Sequence, residues 1–548
     1  MLTLFVNNTS LDLSKDVSIT LKFSSPIFNT IGDHTYPFKL PATPLNVSVL
    51  GFKHRIENAT DPFQVFDASL EWNGILILKG TLRILKAQSD FYEATLYMDK
   101  GDFFYRRKLM TLQDIDYGEL EWSNVNEKMA YFNDCRNYSY PERKICFPMI
   151  LNKSYYETPP NPDPFFEYMN NYLGMNLIPT VAIVGFPDSF RTTLVPMLYF
   201  RHVLSLVFEK LEYSLDDSFF ATDPDYNKLV IYNNVDCNGL VTGPFNYDVL
   251  KVHLGYHVPL MTINEFLSGL EVFFNIRFFV NNITKTVKIV SVDTIVKSND
   301  FVEFSRDVST IYTEIGDPIT GFQLRMNMDS DDEFWGYMKA SEESTLSRIK
   351  GAVDSVSELP PWPGAQDIDL RFVRNENRFY LMINRTWAAS FIGTTSLALL
   401  SEYIYKESSK TIETSFSTLM NQTLSPFDGV VGNAMANWKE TTPKLFFVQK
   451  ITNQFDERVI AINYNGSKSL FFGQDHGLFP THYQAFCDFQ MNSKAVKIVK
   501  QMSLLDLNQL DFSKKYMING NNYLLSEVQV SITNSGIKPA SIKAFTCL

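Results

Sequence analysis

Strict alternation of apolar and polar positions dominates the first 125 residues. In VSITLKF (17–23), Val17, Ile19, Leu21 and Phe23 share one face while Ser18, Thr20 and Lys22 share the other, the period of two of a half-buried strand. YPFKLPATPLNVSVLGF (36–52), FDASLEWNGILILKGTLRILKA (66–87) and FYEATLYM (91–98) continue the series. Asn73-Gly74 separates two alternating runs and predicts a tight hairpin turn. Pro37, Pro41 and Pro44 fit edges and connections, because proline cannot donate to a central ladder. Residues 1–125 are expected to form a small antiparallel barrel or sandwich.

The pattern then loosens. Residues 126–190 are rich in Tyr, Asn and Pro, and ETPPNPDPFFEYMNNYLG (157–174) can continue neither a helix nor a ladder, so the segment is expected to be a long surface connection. After it, the period changes to that of a helix. Phe200, Val203, Leu204, Val207, Phe208 and Leu211 line one face of VPMLYFRHVLSLVFEKLEY (195–213). Ile263, Phe266, Leu267, Leu270 and Phe274 do the same in VPLMTINEFLSGLEVFFNI (258–276). Thr262 and Glu265 form a T-x-x-E capping box just after Pro259, a pair that satisfies orphan backbone donors at a helix start. Strand patterns follow each helix, with turns expected at Asp223-Pro224-Asp225 and near Asn281-Asn282. Residues 191–300 are therefore expected to hold two copies of a helix-strand-turn-strand unit.

Strands return in residues 301–548, in FQLRMNM (322–328), IDLRFV (368–373), RFYLMI (378–383), KLFFVQKI (444–451) and NYLLSEVQVSI (522–532), interrupted by one helix over THYQAFCDFQMN (481–492). The fold class is mainly β with α+β insertions. A chain of 548 residues is too long for one core, and three or four domains are expected.

Composition narrows the function classes. The 14% aromatic content, with 45 Phe and 27 Tyr, suits large sheet cores or extensive subunit contacts. A net charge of −12 argues against a protein that grips nucleic acid, which requires a basic surface. The five cysteines, at 135, 146, 237, 487 and 547, have no spacing of a zinc site or disulfide framework, so reduced thiols are expected. The N-terminus lacks the pattern of a signal peptide, and no apolar run reaches the length of a spanning helix. Neither an export route nor stable membrane insertion is expected.

Candidate chemistry is sparse. His253 and His257 have i, i+4 spacing, which would place two metal ligands on one helix face. Gly255 and Pro259 disfavour a helix there, and in a strand the pair would lie about 13 Å apart. DSDDE (329–333) opens like a calcium loop, but Phe334 and Ala340 stand where glycine and glutamate are needed. Asp506 and Asp511 fit helix caps or turn formers better than a hydrolytic carboxylate pair. G-x-S-x-G, H-E-x-x-H and the phosphate-binding glycine loop are all missing. No catalytic, cofactor-binding or metal-ligating residue is assigned, and an interaction role is favoured over catalysis.

Several segments resemble the large tail or baseplate hub proteins of phages and prophages infecting Bacteroidetes. They are YPFKLPATPLN (36–46) with FDASLEWNGILILKGTLRI, LVPMLYFRHVLSLVFEKLEYSL, HVPLMTINEFLSGLEVFFNIRFFVN, VSELPPW (356–362) with NRFYLMINRTW (377–387), TPKLFFV (442–448), and KKYMINGNNYLLSEVQVSITNSGIKPASIKAF (514–545). The resemblance follows chain order over nearly the whole sequence. It implies N-terminal and C-terminal tube-type β-barrels, the first over 1–125 and the second in the 301–548 region, flanking the two small α/β units. It also implies a homo-oligomer, with a trimer favoured and sixfold symmetry allowed, whose barrels ring a lumen through which DNA passes without specific binding. Tube, fibre or spike proteins would be the partners, in a virion tail assembled in the bacterial cytoplasm. A receptor- or polysaccharide-binding tail protein is the second expectation and a glycan hydrolase the third.

Overall fold

The computed structural model describes residues 1–29, 32–55, 65–106, 110–151, 168–173, 175–177, 180–181, 190–191, 194–237, 250–314, 316, 318–327, 355–358, 370–373, 378–383, 386–390, 402–407, 409–418, 443–452, 457–465, 468–473 and 476–547. The architecture is mainly β, and the strands form open sheets rather than a closed barrel.

The alternating N-terminal runs become β1 (Leu2–Val6), β2 (Thr9–Leu11), β3 (Ser18–Ser24), β4 (Asp33–Thr35), β5 (Phe38–Pro41), β6 (Val65–Trp72), β7 (Ile75–Ala87) and β8 (Phe91–Met98). Val17, Ile19 and Leu21 are buried, as their shared face requires, while Phe23 is half-buried. Asn73 and Gly74 both take positive φ, 52° and 76°, the type I′ geometry that matches the twist of the flanking strands. One stretch departs from expectation. PLNVSV is not a strand but helix α1 (Pro44–Val49), because Thr43 accepts a hydrogen bond from the Asn46 amide and Pro44 occupies the first turn, where no amide is required. Helix α2 (Asp99–Arg106) follows β8 directly.

Residues 126–190, expected to be an irregular connection, begin with helix α3 (Val125–Asp134), capped by Asn124. The two opening helices are α4 (Phe200–Lys210) and α5 (Ile263–Phe273), and every apolar position named for them is buried. The second unit forms as expected. Thr262 and Glu265 make the capping box, and α5 leads to the antiparallel pair β11 (Ile276–Asn281) and β12 (Thr286–Ser291), followed by α6 (Val292–Lys297). Asn281 Oδ1 organises the turn by accepting from the Ile283 and Thr284 amides, each at 2.9 Å.

The first unit has no hairpin. After α4 comes β9 (Ser214–Asp216), then two helical turns, Ser218–Ala221 and Pro224–Lys228, before β10 (Leu229–Ile231). Asp223 caps the second turn, accepting from the Asp225 amide at 3.0 Å, and Pro224 starts it, so Asp-Pro-Asp begins a helical turn instead of reversing a strand. β9 pairs in parallel with β12 of the second unit, and β10 leaves for another sheet. The two units complete one three-stranded sheet between them.

The remaining strands used below are β13 (Phe301–Glu303), β14 (Val308–Thr313), β15 (Gly321–Met326), β16 (Glu402–Lys406), β17 (Lys410–Thr414), β18 (Lys444–Thr452), β19 (Glu457–Ile462), β20 (Ala495–Lys500), β21 (Lys515–Ile518), β22 (Asn521–Thr533) and β23 (Ala540–Cys547). The predicted helix is α7 (Gln484–Asn492), entered through a π-helical turn at Phe479–Tyr483, and α8 (Leu504–Asn508) follows β20.

These strands do not gather into one C-terminal sheet. β15 lies between β16 and β17, while β18 pairs with β10 and β19. β13, β14 and the last four join the N-terminal strands in a 15-stranded sheet whose main path runs β2-β1-β6-β7-β8-β4-β3-β22-β23-β20-β14. The join is β3 against β22, antiparallel from Ser18↔Thr533 to Ser24↔Glu527. One core serves both chain ends, with Leu21, Leu70 and Leu82 beside Val528, Val530 and Ile542.

A β-bulge between Leu525 and Glu527 makes this possible. It shifts the alternation of β22, so Tyr523 and Leu525 before it and Val528, Val530 and Ile532 after it enter the same core. Leu524 points the other way, into a small cluster with Ile27, Ile295, Phe486 and Phe489 that fastens the sheet to the helical middle of the chain.

Candidate assembly interface

The large sheet ends in an exposed strand. β14 pairs with β20 on one side and is the last strand of its path. Ser309 through Thr313 are all exposed, including Ile311 at 36% and Tyr312 at 45%. Its sequence VSTIYT is β-branched and aromatic with no charge and no proline, so among the described residues its edge beyond the register shift at Val308/Thr310 carries neither of the side-chain devices that usually guard a free edge against pairing. The opposite end of the path is β2, three residues long.

The face of the sheet away from its core is polar along the join. Thr20 Oγ1 lies 2.8 Å from Ser531 Oγ, and Lys22 pairs with Glu527 at 2.8 Å. Lys543 continues the row and lies 3.6 Å from Glu314. Within these two ion pairs positive and negative groups neutralise one another locally.

A buried polar junction connects the sheet to the middle of the chain. Lys100 of α2 donates to Glu271 Oε1 of α5 at 2.7 Å, and the Phe278 amide donates to the same oxygen at 3.1 Å. The side-chain amide of Asn282 donates to Asp102 at 2.7 Å, its backbone amide donates to Asp99 at 2.8 Å, and Thr81 of β7 also bonds Asp102. Burial pushes the Asp99 carboxyl up to about 6 and holds that of Asp33 well above the usual range. Nothing in DKGD (99–102) marked these residues as internal, because burial of a charge depends on a partner 171 positions away.

The histidines considered as ligands are separated by burial. His253 ends a short strand and pairs with Glu119 at the surface, whereas His257 is fully buried with Nδ1 3.4 Å from Asn233 Oδ1. A single helical turn, Leu254–His257, does form despite Gly255. Among the described residues, no group of three or more His, Cys, Asp or Glu side chains is placed to hold a metal ion, and no helix is long and apolar enough to cross a membrane.

Asp506 is the third residue of a capping box with Ser503, and Asp511 accepts from the Ser513 amide in a turn, the roles their sequence context suggests. DSDDE (329–333) lies outside the described residues. All five thiols are free, and burial raises each of them, Cys135, Cys237 and Cys487 to about 12. A thiol held in that state is a poor nucleophile at neutral pH.

No family model matches the sequence, and no curated protein matches it. Among solved structures, the chain is similar to the 43 kDa tail protein of prophage MuSo2 from Shewanella oneidensis, at 7% identity and TM-score 0.33 over 99% of this chain and 95% of that one. It is also similar to prophage tail protein gp18 from Listeria monocytogenes EGD-e, at 6% identity and TM-score 0.31 over 99% and 94%. The tail protein from Neisseria meningitidis MC58 gives 7% identity and TM-score 0.29 over 100% and 95%. At these values the likenesses assign neither a family nor a function.

Proposed function

We propose that this chain is a virion structural protein, the hub of a phage tail, whose work is done by interfaces and not by catalysis. The observation that carries this reading is the composite sheet. Both ends of the chain build it around one core, yet among the described residues it stays open, with the charge-free strand β14 at one edge and β2 at the other. An open sheet with a β-branched edge is completed by pairing with another chain.

In this reading the N-terminal and C-terminal strand sets are the tube-type domains implied by the sequence resemblance, with the α/β units as insertions between them. Copies join edge to edge into a ring, with a trimer favoured, that links tail tube to distal fibre or spike. The polar face carrying Thr20, Lys22 and Glu527 would line a lumen through which DNA slides.

Light scattering of the purified chain, with low-resolution imaging, tests the proposal. A trimer or hexamer with a central hole is expected, and the double substitution Ile311→Lys with Tyr312→Lys should dissociate it by placing like charges along the edge. A stable monomer, or a ring unaffected by the double variant, contradicts it. Release of sugar from peptidoglycan or capsular polysaccharide would move the chain to the hydrolase reading.

A further inference from the structure

Between the large sheet and the helical middle lies a cavity of about 520 Å³. One wall is aromatic. Phe28 has its ring centroid 4.7 Å from that of Phe545 and 6.3 Å from that of Phe489, so three rings from distant parts of the chain make one continuous surface. Facing the same space are three cations, Arg277 of β11, Lys410 of β17 and Lys543 of β23, and the described lining includes no carboxylate. Glu314 lies 3.6 Å from Lys543, which leaves Arg277 and Lys410 as the cations this cavity offers without a paired acid among the described residues.

Two of these cations have hydrogen-bond partners that do not neutralise them. The Arg277 guanidinium donates to the backbone carbonyls of Pro26 at 2.8 Å, Ile276 at 2.6 Å and Glu271 at 3.1 Å. Lys410 donates to Gln490 Oε1 at 3.0 Å. Among the described residues neither has a carboxylate within ion-pair distance, whereas Lys543 has Glu314. An anchored guanidinium and an accessible lysine beside an apolar wall select an anion with an apolar body.

We propose that this cavity binds a small organic anion, an aryl or medium-chain alkyl carboxylate, with its body against Phe28, Phe489 and Phe545 and its carboxylate held by Arg277 and Lys410. The volume falls in the range of small-ligand sites, about 300–1,000 Å³, and is too small to bury a folded partner's surface. Seams between two cores are also where such sites occur most often. The inference stands on the cavity alone and does not depend on the hub reading.

The test is titration calorimetry on the full chain with 4-phenylbutyrate and octanoate, beside their neutral counterparts 4-phenylbutanol and octanol. Saturable binding of the carboxylates at one site, with Kd at or below about 1 mM, is expected, and the alcohols should bind at least about tenfold more weakly. Lys410→Met should weaken carboxylate binding by about tenfold while Lys410→Arg retains it, both melting like the parent chain. Equal affinity for acid and alcohol, no saturable binding of either acid, or an unchanged Kd in Lys410→Met overturns the proposal. So does binding of an acidic aromatic peptide such as Glu-Phe-Glu in the absence of any binding by the two small acids.

Discussion

His257 and His482 are buried deep in the protein, and each leaves one ring nitrogen without a hydrogen-bond partner among the described residues. Burial disfavours the charged imidazole and pulls both down to about 3, while an unfolded chain carries them near 6.5. Between those values the unfolded chain binds more protons, so stability is lost as pH falls below about 6.5. Asp99 has the opposite sign. Its carboxyl sits near 6 through burial, so its contribution is lost as pH rises through that value. The two histidines act together, and the unfolding free energy from urea titration should be lower at pH 5.5 than at pH 7.5, by about 1 kcal/mol per histidine. His482→Gln should flatten that slope, and an unchanged slope would show that His482 is not held neutral inside.

Two further residues carry measurable weight. Leu267 is fully buried on α5, so Leu267→Ala should lower unfolding free energy by about 2–5 kcal/mol. A loss below about 0.5 kcal/mol would mean an exposed stripe. Glu271→Gln should be as severe, about 3–5 kcal/mol by chemical denaturation, because it removes the carboxylate charge that the buried Lys100 ammonium faces at 2.7 Å. The first of these positions was visible as an apolar stripe. The second was not, since a charged residue in a helix pattern reads as a solvent-facing one until its partner is known.

At the scale of elements, glycine at 269 shows how closely α5 is fitted to its neighbour. A Cβ there would meet the buried ring of Phe416 at 2.4 Å. Gly269→Ala, which would stabilise an isolated helix by roughly 1 kcal/mol, should instead destabilise this protein by about 1–3 kcal/mol, a reversal that thermal or urea unfolding resolves. Helices and their caps were legible from spacing, because the 3.6 period and the T-x-x-E box are local. The hairpin expected after α4 was not formed, because Asp223 and Pro224 serve equally well to start a helical turn. The choice between the two was made by β12, whose free edge takes β9 in parallel.

At the scale of the molecule, the β3–β22 join should behave as one cooperative unit even though its strands come from opposite ends of the sequence. Hydrogen exchange is expected to show matched protection for Ile19 to Lys22 and Gln529 to Ile532. Independent exchange of the two strands would indicate separate terminal domains. A chain folded this way has its geometry set by a sheet that both termini complete, with the middle of the chain between them.

The sequence by itself determined the strand and helix periods, the Asn73-Gly74 turn, the Thr262–Glu265 capping box and the apolar faces, all consequences of interactions within a few residues. Tertiary structure alone decided that the two chain ends share a core, that a bulge at Leu525/Glu527 keeps β22 in phase, that Lys100 meets Glu271, and that β14 is left at an open edge. Those features depend on which distant strand lies alongside, and alternation specifies the face a strand buries without specifying its neighbour.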